Sequence, residues 1–239
     1  FDEEKFCGLI HKKLKKKHKD LLTIIIPRHI NRVSSIKKDL ENLDLITHLD
    51  EPFSNLDVEL RESLGEQVRA LLKQTQTTAI MVTHDQHEAF AMADSIGVLN
   101  DGALLQWDSA YAIYHQPINA FVADFVGQGV MLNGEMVSST KVQTTLGCFE
   151  RKLLADNIDN IQAGDQVKVL IRPDDIIHQD SSELTAKVVA RHFRGAEFLY
   201  HLELDNHERV LALVPSHHDH AINEMIGIRL EIDHVVVFK

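Results

Sequence analysis

The sequence predicts an α/β domain with a parallel sheet, followed by an all-β domain. Two observations carry this. Between Leu45 and Trp107, apolar runs alternate with helical patterns, the order that builds parallel sheets. From about Gly127 the helical pattern gives way to short strand-like runs, which suggests a small barrel or sandwich. Charge divides the chain too. Residues 1–40 hold 11 basic and 5 acidic side chains, while the full 239 residues hold 25 and 36, for a formal net charge of −11.

The elements follow in order. Residues 1–44 carry weak signals, with a helix over 33–43 whose apolar stripe is poor. Residues 45–49 read as a short buried strand ended by Asp50-Glu51-Pro52. Asp57 can N-cap a helix whose apolar positions are Leu60, Leu64, Val68, Leu71 and Leu72. Steps of three and four place these on one stripe against a sheet. Residues 77–83 include the continuous run Ala79-Ile80-Met81-Val82, typical of a strand covered on both faces. His84 stands at its carboxyl end, and a helix over 86–93 follows. Ile96, Val98 and Leu99 form the next strand, and Asn100-Asp101-Gly102 turns it back through Leu104, Leu105 and Trp107. Beyond the expected boundary near 128, strands are read at 167–171, 185–190, 198–204, 210–214, 228–232 and 235–238. Turns at Ala163-Gly164-Asp165 and Asp205-Asn206-His207 separate some of them. Trp107 is expected in the core and Cys148 half-buried in the barrel. The stripe Phe121, Val122, Phe125, Val126 is expected to pack on the α/β part or to seat a partner helix.

Several classes are excluded. No apolar run approaches the ~20 residues of a membrane-spanning helix. The basic run from Lys12 to Lys19 precedes Leu21-Leu22-Thr23-Ile24-Ile25-Ile26, which Pro27 stops, too short for a signal peptide. Cys7 and Cys148 are the only cysteines, so a disulfide framework is ruled out. Residues 129–239 hold 11 basic and 17 acidic side chains, the wrong sign for a nucleic-acid backbone.

Chemistry concentrates at strand ends of the α/β part, where open sheets bind ligands. Asp50-Glu51, Ser54-Asn55-Leu56-Asp57 and Thr83-His84-Asp85 fall there. An acidic pair so placed can hold a hydrated Mg²⁺ and orient an attacking water, and a histidine can bond a terminal phosphate. Phosphoryl transfer needs little more than such positioning and charge neutralisation.

The stretch Leu49-Asp50-Glu51-Pro52-Phe53-Ser54-Asn55-Leu56-Asp57 resembles the Walker B segment and D-loop of ABC-transporter ATPases. Met81-Val82-Thr83-His84-Asp85-Gln86 resembles their switch-histidine loop. Asp101-Gly102, Gln106 and Tyr114 to Pro117 extend the likeness to the end of the nucleotide-binding domain. Val169-Leu170-Ile171-Arg172-Pro173-Asp174-Asp175-Ile176 is similar to the signature strand of the regulatory TOBE domain of importer ATPases. The segments 125–129 and 213–220 are most similar to the ferric-iron branch. The resemblance implies residues 49–128 as the carboxyl-terminal half of a P-loop nucleotide-binding domain and 129–239 as an all-β, OB-like TOBE domain, with residues 1–48 outside the family. It implies ATP and Mg²⁺ as ligands. Asp50 would hold Mg²⁺ through water, Glu51 polarise the hydrolytic water, and His84 contact the γ-phosphate. Asp57 would face a partner ATPase subunit in a head-to-tail dimer, with Ser54 supporting that loop. The implied partners are a membrane permease, a second ATPase subunit and, indirectly, an extracytoplasmic binding protein. The implied location is the cytoplasmic face of the inner membrane.

The likeness has a gap. None of the 11 glycines sits in the phosphate-loop pattern G-x-x-x-x-G-K-[ST], and no LSGGQ signature precedes Asp50. The chain is therefore expected to be the later part of an importer ATPase joined to an unrelated segment by truncation, disruption or frameshift, and to be inactive alone. The alternative is a non-catalytic regulatory or dimerisation module. Thr47 and His48 stand where the family has aliphatics, and an imidazole in a central strand costs a few kcal/mol without a partner. His217, His218 and His220 with Asp219 fall between two strands. A polar hairpin loop is the expected role, a metal site the competing one.

Overall fold

The computed structural model describes residues 23–26, 48–50, 58–75, 79–151, 161–232 and 234–239. The chain divides into two compact units, residues 1–118 and 119–239. The expected boundary near 128 falls inside the second.

In the first unit the elements run β1 (Thr23–Ile26), β2 (His48–Asp50), α1 (Val58–Gln74), β3 (Ile80–Val82), α2 (Gln86–Met92), β4 (Ser95–Asn100), β5 (Ala103–Asp108) and α3 (Ala110–His115). The sheet order is β2-β3-β1-β4-β5. β2, β3, β1 and β4 are parallel, and β5 returns antiparallel to β4. The hairpin turn places Asp101 and Gly102 at φ 45° and 98°, the left-handed pair that a tight two-residue turn requires. β3 is buried throughout, and Ile96, Val98 and Leu99 of β4 join it in the core.

Three expectations change here. The Thr23–Ile26 run is a central strand between β3 and β4. β2 is an edge strand among the described residues. The α1 stripe is only partly buried: Leu64, Val68 and Leu72 are half-buried, while Leu60 and Leu71 are exposed. Arg69 and Lys73 reach Asp94 at 2.9 and 2.6 Å, and Gly65 is buried beside Met92. That face turns inward in place of the Leu60–Leu71 edge. The helix over 33–43 lies outside the described residues. Trp107 is half-buried rather than core, its ring lying against Gly97, where a Cβ would come within 2.8 Å of it.

The second unit runs α4 (Ala120–Phe125), β6 (Val130–Met136), β7 (Lys141–Thr144), β8 (Gly147–Glu150), β9 (Gln166–Ile171), β10 (Ile176–His178), β11 (Thr185–Phe193), β12 (Glu197–Glu203), β13 (Arg209–Pro215), β14 (Met225–Leu230) and β15 (Val236–Phe238). Two antiparallel sheets form, β15-β9-β6-β7-β8 and β10-β14-β11-β12-β13. Their alternating apolar faces share one core, with Leu132, Val142 and Val169 from the first and Tyr200, Ala212 and Ile228 from the second. The small barrel or sandwich expected from the strand spacing takes the form of two sheets over one core, with β6, β7, β8 and β10 in addition to the expected strands. Within its own unit, Ala123 of α4 lies against Leu170, Val236 and Phe238. Cys148 is exposed rather than half-buried, because it sits on an outward position of β8, an end strand of its sheet.

Arg172 explains the Arg-Pro-Asp-Asp signature. Its guanidinium donates to the carbonyls of Ala123, Gly127 and Gln128 at 3.0, 2.8 and 3.2 Å. It satisfies a carbonyl inside α4 and two just past its end, where a cation is favoured. Its backbone N–H donates to Asp175 Oδ2 at 2.6 Å, closing the one-turn 3₁₀ helix Pro173–Asp175.

Candidate functional site

Two places gather chemistry, one in each unit. In the first, the register sets Asp50 opposite Val82. The ends of β2 and β3 thus lie side by side, and His84 follows Val82 by two residues. Glu51, Ser54 and Asp57 lie outside the described residues.

The turn carrying His84 is held from beneath. Thr83 is 1% exposed and donates through its hydroxyl to Glu88 Oε2 at 2.6 Å. The same hydroxyl accepts from the Asp85 N–H at 3.0 Å. Asp85 then caps α2, accepting from the N–H groups of His87 and Glu88 at 2.8 and 3.4 Å. A buried hydroxyl, a buried carboxylate and a helix cap fix the backbone, and His84 is left exposed at the strand end. Glu88 was not among the residues expected to matter. The signal was present: an N-cap Asp followed three residues later by Glu is the pattern of a capping box.

In the second unit, His178, His218 and His220 each offer a ring nitrogen, and the three atoms lie within 4.8 Å of one another. His178 ends β10, and the other two lie between β13 and β14. Gly227 allows the meeting. A Cβ there would come within 2.2 Å of the Gln179 carbonyl, and that carbonyl's own residue donates its N–H to Gly227 O at 2.9 Å. The loop is pinned by Tyr200, fully buried on β12. Its hydroxyl donates to His218 O and accepts from the His220 N–H, both at 2.9 Å. Arg191 bonds Asp219 and donates to His220 O at 2.7 Å.

The side chains of this trio are shielded unequally. The His178 side chain is 4% exposed and that of His220 16%. Burial, with the adjacent His220 imidazole, pushes His178 below the usual histidine range. His220 Nδ1 lies 2.9 Å from Glu224 Oε1, and Glu224 Oε2 accepts from the Ala221 N–H at 2.7 Å. Those bonds hold the Glu224 carboxyl below its usual range. His217, grouped with His218 and His220 in the sequence, is exposed and lies outside the trio. Asp219 is taken by Arg191. His178 was missed because it is 40 residues upstream on a strand too short to read.

Residues 169–238 match the TOBE domain family. A solved structure of the cytoplasmic molybdate-binding protein ModG, with molybdate bound, is similar over 46% of this chain and 94% of that one. The identity is 10% and the TM-score 0.39. The matched residues 169–238 include the whole histidine trio.

Proposed function

We propose that the chain is the carboxyl-terminal portion of an ABC-importer ATPase subunit, with ferric iron as the cargo its sequence favours. TOBE domains serve as regulatory or binding modules in ABC-transporter ATPases and in molybdate-binding proteins, and such a domain follows the α/β unit here. The observation that carries the nucleotide reading is the β2–β3 register. Asp50 ends one parallel strand beside Val82 of the next, and the braced Thr83-His84-Asp85 turn leaves from that same edge. In this reading Asp50 and Glu51 serve hydrated Mg²⁺ and the attacking water, and His84 meets the γ-phosphate. Ser54 and Asp57 belong to the loop facing a second ATPase subunit. A membrane permease at the cytoplasmic face is the other direct partner, and an extracytoplasmic binding protein the indirect one.

These residues suit the metal and terminal-phosphate end of ATP. No phosphate-loop motif is present for the rest of the triphosphate. The chain alone is therefore inactive as an ATPase, because positioning supplies most of the catalysis. Titration of the purified chain with Mg-ATP, followed by the His84 imidazole resonances, tests this. The expected result is a weak, millimolar response that Asp50→Asn diminishes, with hydrolysis at background. No response of His84 at any ATP concentration removes the nucleotide reading. A robust rate dependent on Glu51 removes the inactivity.

The second reading is a non-catalytic regulatory module. It is favoured by the self-contained core of residues 119–239. Dimerisation that persists without ATP, measured by sedimentation, selects it.

A further inference from the structure

We propose that His178, His218 and His220 form a binding site for a divalent first-row transition metal, of which Zn²⁺ is the probe. The site is distinct from the nucleotide edge and from any transported ion.

The geometry carries the proposal. His178 Nε2 and His220 Nε2 lie 3.1 Å apart. Two nitrogens sharing one tetrahedral ion at the usual bond lengths are about 3.3–3.4 Å apart, so a small shift admits the metal. His218 supplies the third nitrogen within the same 4.8 Å span. Its ring centroid is 4.5 Å from that of His178. Three imidazoles with a fourth position open to water suit Zn²⁺, Ni²⁺ or Cu²⁺. Ferric iron, a hard ion, prefers oxygen donors.

The surroundings support the same assignment. Glu224 stands behind His220 at 2.9 Å from Nδ1. With the ring neutral, that carboxylate draws the proton to Nδ1 and turns the Nε2 lone pair toward His178. Metal-bound histidines commonly have such a carboxylate behind them. Asp180 Oδ1, 3.0 Å from His178 Nε2, adds negative charge at the open side. Tyr200 and Arg191 hold the loop backbone independently of any ion, so the ligands are arranged before binding. A metal would tie the end of β10 to the β13–β14 loop across 40 residues of chain.

The test uses the full chain. Calorimetry with Zn²⁺ is expected to show one saturable site per chain in the micromolar range or tighter, and Co²⁺ to show the visible bands of four-coordinate nitrogen ligation. The chain holds 15 histidines, so variants decide. His220→Ala and His218→Ala, on the loop, each weaken binding at least tenfold. Glu224→Gln weakens it by about tenfold to a hundredfold. His217→Ala leaves it unchanged. His178→Ala abolishes it but removes a buried ring, so the loop variants stand even where that protein does not fold. No saturation up to millimolar Zn²⁺, or equal affinity in His220→Ala and His217→Ala, overturns the proposal.

Discussion

At Asp175 the fold sets two demands against each other. Its carboxylate accepts the Arg172 N–H, yet burial raises its pKa from 3.8 to about 6 despite that bond. Between those values the native state binds more protons than the unfolded one. Stability therefore falls as pH rises from about 4 to about 6, and is flat above. Asp175→Asn keeps an oxygen acceptor and has no charge to bury. It is expected to raise stability at pH 8 by on the order of 1–2 kcal/mol and to change little near pH 4, read from paired urea melts. Its neighbour behaves oppositely. Arg172→Met removes the donor to three carbonyls and is expected to destabilise the second unit by about 2–4 kcal/mol at any pH in denaturant titrations.

Among the elements, the legible ones had regular alternation. β12 and β13 show it in Phe198, Tyr200 and Leu202 and in Val210, Ala212 and Val214, all buried, and β4–β5 had its Asp-Gly turn. β6 was missed because Asn133 and Gly134 interrupt its apolar run. The structure shows why glycine stands there: a Cβ on Gly134 would come within 2.7 Å of Val142 and 2.9 Å of Val169. Gly134→Val is expected to cost about 1–3 kcal/mol or more, measured by thermal melting, as an overpacked core does. The α1 stripe misled because the ion pairs of Asp94 with Arg69 and Lys73 select a face that apolar spacing does not encode. In the site, the His84 turn was legible as a strand end and Glu88 as the third residue after a capping Asp, but the bond between Thr83 and Glu88 was not, since no local pattern pairs a strand-end hydroxyl with a helix carboxylate. Thr83→Val removes the hydroxyl donor from buried Glu88. It is expected to destabilise the first unit by about 1–3 kcal/mol and to broaden the His84 resonances. The histidine trio lay beyond local patterns because β10 is brought to the loop by tertiary pairing with β14.

For the molecule as a whole, each unit has its own sheet system, and the second has a core shared by two sheets. Residues 119–239 are expected to fold as a cooperative unit when expressed alone, with a β-type circular dichroism spectrum and a single calorimetric transition. A molten, non-cooperative product would contradict that autonomy. The charge step in the sequence pointed to two parts of different character. Contacts divide the chain elsewhere, between residues 118 and 119, because Arg172 and the Ala123 cluster draw α4 into the sandwich. The sole tryptophan, Trp107, stacks over Gly97 in the first unit, and Tyr200 is the only tyrosine in the second. Indole emission therefore watches one half of the protein without a dye, leaving a lone phenol as the intrinsic optical witness of the other.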